Sequence, residues 1–358
     1  MTRRWLRALE VGAAVTGGAA AAAAAGLAAQ RTVTRARSRR GEQLGLGTVH
    51  SEPLSVLTDD GIRLHVEVDE PDPDGAESSG GKREPTLVFV HGYVLSLDCW
   101  HFQRLALRGR HRMVFYDQRS HGRSERSHGD HATVEQLGRD LARVLAEMVP
   151  AGPVVLIGHS MGGMALMSLA EQLPDLVVDR VIGVAFLASS AGGAGRLVPG
   201  PVGRALDTFQ PLVLGSLARV PILVDASRRS TAFALTGRLA FGGPVPDSYV
   251  VFVDEMIGAT PSQVIWDFLP SVRLHRRYRA LAAYADVPAL VVAGDSDAIL
   301  PVRHSERLAG ELPLSELCVL EGAGHMLLLE RHEPATAAIA QLVRRSIGHY
   351  RARVGSGG

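Results

Sequence analysis

The sequence is poor in cysteine and has none of the short motifs that usually hold a structural metal. Its 358 residues include two cysteines, Cys99 and Cys318, which lie far apart in apolar stretches. No CxxC pair, HExxH motif or Cys/His cluster occurs. We therefore predict two buried free thiols, no disulfide and no metal site.

The sequence also lacks an excess of charge of either sign. Lys and Arg number 38 and Asp and Glu number 37, a formal net charge of +1. A nearly neutral chain has no global field that would attract nucleic acid, so we predict no nucleic-acid partner. A single lysine, Lys82, stands among many arginines, and Ala and Gly are abundant; this bias is typical of a GC-rich bacterial genome.

No run of large apolar side chains marks a strong membrane span. Residues 11–29 are about as long as the roughly 20 residues that a spanning helix needs, but they are mostly Ala and Gly. Three interpretations remain open: a membrane anchor, a cleavable signal that begins at Arg3-Arg4, and an Ala-rich helix outside any membrane.

Arginines are denser after this stretch than before it. Five of them lie between Arg31 and Arg40, and positive charge resists translocation. We therefore expect an N-terminal anchor with the folded domain on the cytoplasmic side, with an exported or a cytoplasmic protein as alternatives. Residues 1–48 are predicted to lie outside the fold, as an anchor or signal segment followed by a basic linker.

The remaining chain, 46% apolar overall, predicts one large α/β domain with an insertion. Residues 54–58 and 62–68 alternate at period two around Asp59-Asp60-Gly61 and predict a hairpin; a polar loop follows over residues 69–85. Short continuous apolar runs, typical of strands buried on both faces, then recur at residues 86–90, 113–116, 154–157, 181–187, 289–293 and 317–320. Helical patterns lie between several of them, at residues 97–107, 134–148, 161–173 and 334–347.

Alternation of strand and helix predicts a parallel sheet with right-handed crossovers. Residues 194–281 interrupt the alternation, because they contain helical, apolar-rich segments and many prolines but no clear buried strand. We interpret them as a helical cap over the carboxyl edge of the sheet. The predicted core is then residues 49–193 and 282–347, and residues 348–358 are expected to form a flexible tail.

The strongest motif is Gly158-His159-Ser160-Met161-Gly162, which lies between a predicted strand and a predicted helix. It matches G-x-S-x-G, in which a serine stands at a sharp turn and the glycines let strand and helix approach closely. We predict that Ser160 is a nucleophile and that the N–H of Met161, at a helix N-terminus, stabilises negative charge.

The sequence His91-Gly92-Tyr93 follows an earlier buried run. A serine nucleophile needs a second backbone donor for its oxyanion, and a loop in this position usually supplies it. We assign this donor to the N–H of Tyr93 and predict that His91 is structural and ties loops together.

Two further loops supply candidates for an acid and a base. Asp295 and Asp297 follow the run at 289–293, and we predict that Asp297 orients the base while Asp295 shapes the loop. His325 lies in the Gly-rich loop after the last predicted strand, where its ring can reach the edge of the sheet. The order Ser, Asp, His along the chain is typical of one hydrolase fold.

Taken in order, these motifs and the stretch Asp117 to Ser124 make the chain resemble the α/β-hydrolase superfamily, specifically its cap-bearing esterase, lipase and carbon–carbon hydrolase branch. The similarity spans residues 53–347. It implies an eight-stranded, mostly parallel sheet flanked by helices, a cap insertion and a triad of Ser160, Asp297 and His325. The chain departs from many relatives at Ser120, where Gly is usual, and at Met326, where an aromatic residue is common.

The expected function is hydrolysis of small to medium apolar carboxylic esters, or of lipid-like esters, through an acyl-enzyme on Ser160, with no cofactor. Alternatives that use the same triad are a carbon–carbon bond hydrolase of vinylogous diketones, an acyltransferase and a cofactor-free haloperoxidase. A ligand-sensing protein without turnover is the non-enzyme alternative. The sequence leaves the oligomeric state open.

Overall fold

The computed structural model of the chain describes residues 45–72, 84–192 and 236–355. The apolar stretch at 11–29 and most of the polar loop at 69–85 lie outside these residues, as does the first half of the predicted cap. None of the helices within the described ranges is both long enough and apolar enough to cross a membrane.

Eight strands form one sheet, in the order β1-β2-β4-β3-β5-β6-β7-β8. β2 pairs antiparallel with β1 and with β4, and every other pairing is parallel. This confirms the predicted fold class and the N-terminal hairpin. The strands are β1 (Pro53–Leu57), β2 (Arg63–Asp69), β3 (Thr86–Val90), β4 (Met113–Tyr116), β5 (Val154–His159), β6 (Val181–Leu187), β7 (Ala289–Gly294) and β8 (Ser315–Leu320).

Helices cover both faces of the sheet. In chain order they are α1 (His101–Leu107), α2 (Val134–Met148), α3 (Met161–Gln172), α4 (Pro174–Arg180), α5 (Asp247–Ala259), α6 (Ser262–Leu274), α7 (Arg303–Gly310), α8 (Leu327–Glu330) and α9 (His332–Gly355). The predicted helix at 97–107 is divided, because Leu97–Trp100 forms a 3-10 turn ahead of α1. Helices α4, α7 and α8 were not predicted from the sequence.

The central strands are buried along their whole length, because helices pack on both sides of them. β8 is different. It is an edge strand, and Leu317 and Val319 are 40% and 46% exposed. The prediction of a strand buried on both faces is therefore wrong for β8, and so is the prediction that Cys318 is buried, since this thiol is only partly covered.

The C-terminal helix is longer than predicted. α9 continues from His332 to Gly355, through most of the segment 348–358 that was expected to be a flexible tail. Contacts beyond residue 347 account for the difference: Arg351 donates to Glu84 at 2.9 Å, and His349 Nε2 lies 2.9 Å from Asp286 O. These interactions offset the cost of ordering the extra turns.

The described part of the insertion, residues 236–274, lies between β6 and β7 in the chain and is helical. After the insertion the chain comes back to the sheet at Arg277, whose N–H donates to Ala191 O at 2.6 Å. Phe268 of α6 is fully buried against the core. The insertion therefore packs on the body of the domain and encloses the edge where the parallel strands end.

Candidate active site

A sharp strand-to-helix turn places Ser160 between β5 and α3. Its backbone has φ 51° and ψ −116°, a conformation that residues with a side chain rarely adopt. The Ser160 N–H donates to Leu187 O of β6 at 2.9 Å, which ties the turn to the neighbouring strand. The hydroxyl therefore stands at the carboxyl edge of the sheet, where ligands bind in folds of this type.

Gly158 and Gly162 are required by the closeness of α3 to the sheet. A Cβ at Gly158 would meet the Leu166 side chain, and a Cβ at Gly162 would meet the carbonyl oxygen of Val90 on β3. Any larger residue would therefore push the helix away from the strands and release the turn that holds Ser160.

The three predicted triad side chains lie together although they come from three loops. His325 Nε2 lies 2.9 Å from Ser160 Oγ, and His325 Nδ1 lies 2.8 Å from Asp297 Oδ2. All three residues are buried, at 9%, 8% and 5% exposure for Ser160, His325 and Asp297. With Nδ1–H donating to the carboxylate, Nε2 accepts the serine proton, which is the arrangement that activates a hydroxyl for attack.

Asp297 and Asp295 have different surroundings. Burial raises the pKa of the Asp297 carboxyl, but the His325 ring and the N–H groups of Ile299 and Leu300 outweigh burial, and the net pKa lies below its usual value. Asp295 is exposed and accepts the Gly322 N–H at 2.8 Å, across the base of the His325 loop. The structure thus gives Asp297 the contact with the base and Asp295 a contact that shapes the loop.

The loop after β3 lies against the nucleophile. A Cβ on Gly92 would lie 3.2 Å from the Ser160 Cβ. The His91 ring faces Gly92 O at 2.7 Å and accepts the Gln118 N–H at 2.9 Å, and burial lowers its pKa to about 3. His91 is therefore a neutral tie between two loops, and the donor roles of the Tyr93 and Met161 N–H groups stay predictions.

Comparison with known proteins gives the family of this site. The model of the alpha/beta hydrolase family matches residues 87–339. The chain belongs to the α/β-hydrolase family. An uncharacterized protein of Mycobacterium tuberculosis is 28% identical to it over 258 residues, which cover 67% of this chain and 70% of that protein.

Solved structures show the same fold. A thermophilic esterase from Thermogutta terrifontis superposes with a TM-score of 0.63 at 23% identity, over 83% of this chain and 99% of the esterase. A bromoperoxidase from Bacillus anthracis superposes with a TM-score of 0.64 at 19% identity, over 82% of this chain and 100% of that protein. At these identities the likeness concerns the fold and not the reaction.

In this α/β hydrolase, a pocket of about 330 Å³ lies over Ser160 and His325. Aliphatic side chains of the insertion line one side of it: Leu239, Ala240, Val253, Ile257, Ile265 and Val272. Among the described residues that line it, none carries a permanent charge. The pocket therefore suits an uncharged apolar group.

Within the described part of the insertion, Met256 and the aromatic side chains do not line the pocket. Phe241, Phe252, Met256 and Phe268 are buried in the core clusters instead. A helix presents one face to a cavity and another to the core, and aromatic residues favour the face that buries more area. The smaller Val and Ile side chains of α5 and α6 form the wall of the pocket instead.

The stretch Asp117 to Ser124 is joined by hydrogen bonds to Leu97 and His91, in the segment after β3. Asp117 accepts the N–H groups of Leu97 and Arg123, and burial raises its pKa to about 6.

Ser120, where many relatives have glycine, carries a conformational cost, since its φ of 65° lies in the left-handed region that favours glycine. Its hydroxyl accepts the Ser127 N–H at 3.0 Å, a hydrogen bond that glycine would lack.

Two residues near the triad had no role in the sequence analysis. His159 is fully buried, its Nε2 lies 3.0 Å from His325 O, and burial lowers its pKa to about 3. Glu330 lies five residues after the base and accepts three backbone N–H groups. Only their closeness in sequence to Ser160 and His325 could have drawn attention to them.

Asp297 and Asp295, both in the loop after β7, allow a matched test of which carboxylate orients His325. Asp297→Asn should lower the rate at which Ser160 reacts with a fluorophosphonate by about 10⁴-fold, because the amide no longer fixes the tautomer of His325 or stabilises its charged form. Asp295→Asn should lower this rate by less than about fivefold, since Asp295 contacts the loop and not the ring. Labelling kinetics on the folded proteins measure both, and equal losses would contradict the assignment of Asp297.

Proposed function

We propose that the chain is a serine hydrolase that cleaves carboxylic esters of small to medium apolar substrates through an acyl-enzyme on Ser160. The observation that carries the proposal is the chain of hydrogen bonds from Asp297 through His325 to the Ser160 hydroxyl, at 2.8 and 2.9 Å, beneath an apolar pocket. Membership of the α/β-hydrolase family supports it.

In the first step, Ser160 Oγ attacks the ester carbonyl while His325 Nε2 takes the hydroxyl proton. Asp297 stabilises the imidazolium that forms. The carbonyl oxygen gains negative charge and is held by the N–H groups of Tyr93 and Met161, the latter at the positive end of the α3 dipole. The carbon–oxygen bond to the alcohol then breaks, and the alcohol leaves with the proton from His325.

In the second step, water attacks the acyl-enzyme. His325 takes a proton from the water as its oxygen bonds to the acyl carbon, and the same two N–H groups hold the second oxyanion. Collapse of this intermediate releases the carboxylic acid and returns the proton to Ser160 Oγ. Neighbouring His159, whose pKa is lowered to about 3, stays neutral and does not oppose the charge that forms on His325.

The pocket supports the choice of substrate. Aliphatic side chains surround the nucleophile on the insertion side, and burial of each additional methylene group there would contribute about 0.8 kcal/mol. A charged group would lose its hydration without gaining a partner among the described lining residues. Acyl transfer, carbon–carbon bond hydrolysis and haloperoxidase chemistry would use the same triad, and the products would distinguish them from ester hydrolysis.

Removal of the nucleophile tests the mechanism. The native protein should release a burst of p-nitrophenol from a p-nitrophenyl ester, with an amplitude near one equivalent per site, if acylation is faster than deacylation. Ser160→Ala should abolish the burst and leave a folded protein, since the hydroxyl makes its described hydrogen bond only with His325. An unchanged burst from Ser160→Ala would refute the proposal.

Narrowing of the pocket tests the substrate class. Ile257 of α5 lines the pocket, whereas Val251 of the same helix does not, and both side chains are partly exposed. Ile257→Phe should lower kcat/KM for the longest ester accepted by about 10-fold or more and leave the acetate ester within about twofold, because the ring occupies space that a long chain needs.

The comparison uses ester series with lengthened acyl and alcohol chains. Val251→Phe is the matched control. Its kcat/KM should depend on chain length in the same way as that of the native protein. Equal changes in the two variants, or the highest activity of the native protein on a charged ester, would contradict an apolar substrate.

A further inference from the structure

The backbone on both sides of His325 is held by groups from outside its loop. The Gly324 N–H donates to Glu330 Oε2 at 2.6 Å, and the Met326 N–H donates to Ala240 O at 2.7 Å. The His325 carbonyl oxygen lies 3.0 Å from His159 Nε2. The Gly324 N–H, the His325 carbonyl oxygen and the Met326 N–H, which flank the ring in the chain, therefore each have a fixed partner.

Glu330 joins this loop to the insertion. Its carboxylate accepts the Gly324 N–H and also the N–H groups of Gly242 and Gly243, at 3.0 and 3.2 Å. Hydrogen bonds from neutral donors to a carboxylate are stronger than those to a neutral acceptor. One carboxylate side chain thus binds two chain segments that are about eighty residues apart in the sequence.

The two segments also touch directly, backbone against backbone. A Cβ on Gly242 would lie 2.6 Å from the Ala323 carbonyl carbon, and a Cβ on Gly324 would meet the Phe241 backbone. No side chain separates them, so a displacement of Gly242 would be passed to Gly324 and to the residue that follows it.

We propose that Glu330 is a positioning residue that couples the insertion, at Gly242 and Gly243, to the general base His325. The inference rests on the proposed function, because it assumes that His325 acts as that base. The ring must meet Ser160 on one side and Asp297 on the other at hydrogen-bond distance, and a misplacement of about 1 Å can cost about 10²-fold in rate. Glu330 keeps both contacts by fixing the N–H of Gly324, the residue that precedes His325.

The test compares Glu330→Gln with Glu333→Gln. Gln is nearly isosteric with Glu, but it turns an NH₂ group towards backbone donors and loses the charge. Glu333 is exposed in the first turn of α9 and is the matched control. Glu330→Gln should lower the acylation rate by about 10- to 100-fold and change KM by less than about threefold, since the pocket is kept.

A spectroscopic signature separates positioning from general loss of stability. The downfield NMR resonance of the His325 Nδ1 proton reports its hydrogen bond with Asp297. It should shift or broaden in Glu330→Gln and be unchanged in Glu333→Gln. The burst amplitude counts the protein molecules that can form the acyl-enzyme, and each acylation rate is divided by that fraction.

An acylation rate within about twofold of the native value, with the resonance unchanged, would overturn the proposal. If Glu330→Gln does not fold, amide hydrogen exchange of the native protein decides. The amide hydrogens of Gly242, Gly243 and Gly324 should exchange slowly. If they exchange as fast as amide hydrogens in exposed loops, the proposed coupling is overturned. If the native protein neither hydrolyses a p-nitrophenyl ester nor reacts with a fluorophosphonate at Ser160, the proposed function fails instead, so the two failures are distinguishable.

Discussion

The strained turn at Ser160 is the constraint on which the rest of the site depends. The backbone there has φ 51°, which costs on the order of 1–3 kcal/mol for a residue with a side chain. This conformation persists because α3 is pressed against β3 and β5 where Gly158 and Gly162 leave no room for a Cβ. The sheet therefore sets the position of the hydroxyl, and the loops after β3, β7 and β8 are arranged around it.

Burial determines the electrostatics around this turn. His91 and His159 are fully buried, and loss of hydration lowers the pKa of each to about 3. Both rings are then neutral, and they act through hydrogen bonds to the backbone. Asp297 is the opposite case, because hydrogen bonds and the adjacent His325 keep it ionised in spite of burial. A positive charge formed on His325 during the reaction would thus meet one negative partner and no competing cation among these groups.

The central strands and the loops at their ends could be predicted from the sequence, because each depends on a local pattern. Continuous apolar runs predicted β3 to β7, and G-x-S-x-G placed Ser160 between a strand and a helix. The same logic failed at β8, since an apolar run does not tell whether a strand has one neighbour or two. It failed again at the end of α9, where contacts with Glu84 and Asp286 depend on the tertiary structure.

The parts of the site that escaped prediction depend on long-range contacts. Glu330 shows no motif of its own in a single sequence, and its importance emerges only when Gly242 and Gly243 are brought beside Gly324. Val253 and Ile257, four residues apart on one face of α5, line the pocket, whereas the bulkier Phe252 packs in a core cluster. Hydrophobic pattern identifies which residues are buried, but not what they are buried against.

The most direct measurement is a structure of the protein after reaction with a fluorophosphonate, since the adduct resembles the tetrahedral intermediate. We expect phosphorus bonded to Ser160 Oγ and a phosphonyl oxygen within about 3 Å of the backbone nitrogens of both Tyr93 and Met161. A bond to another residue, or an oxygen directed away from both N–H groups, would contradict this expectation.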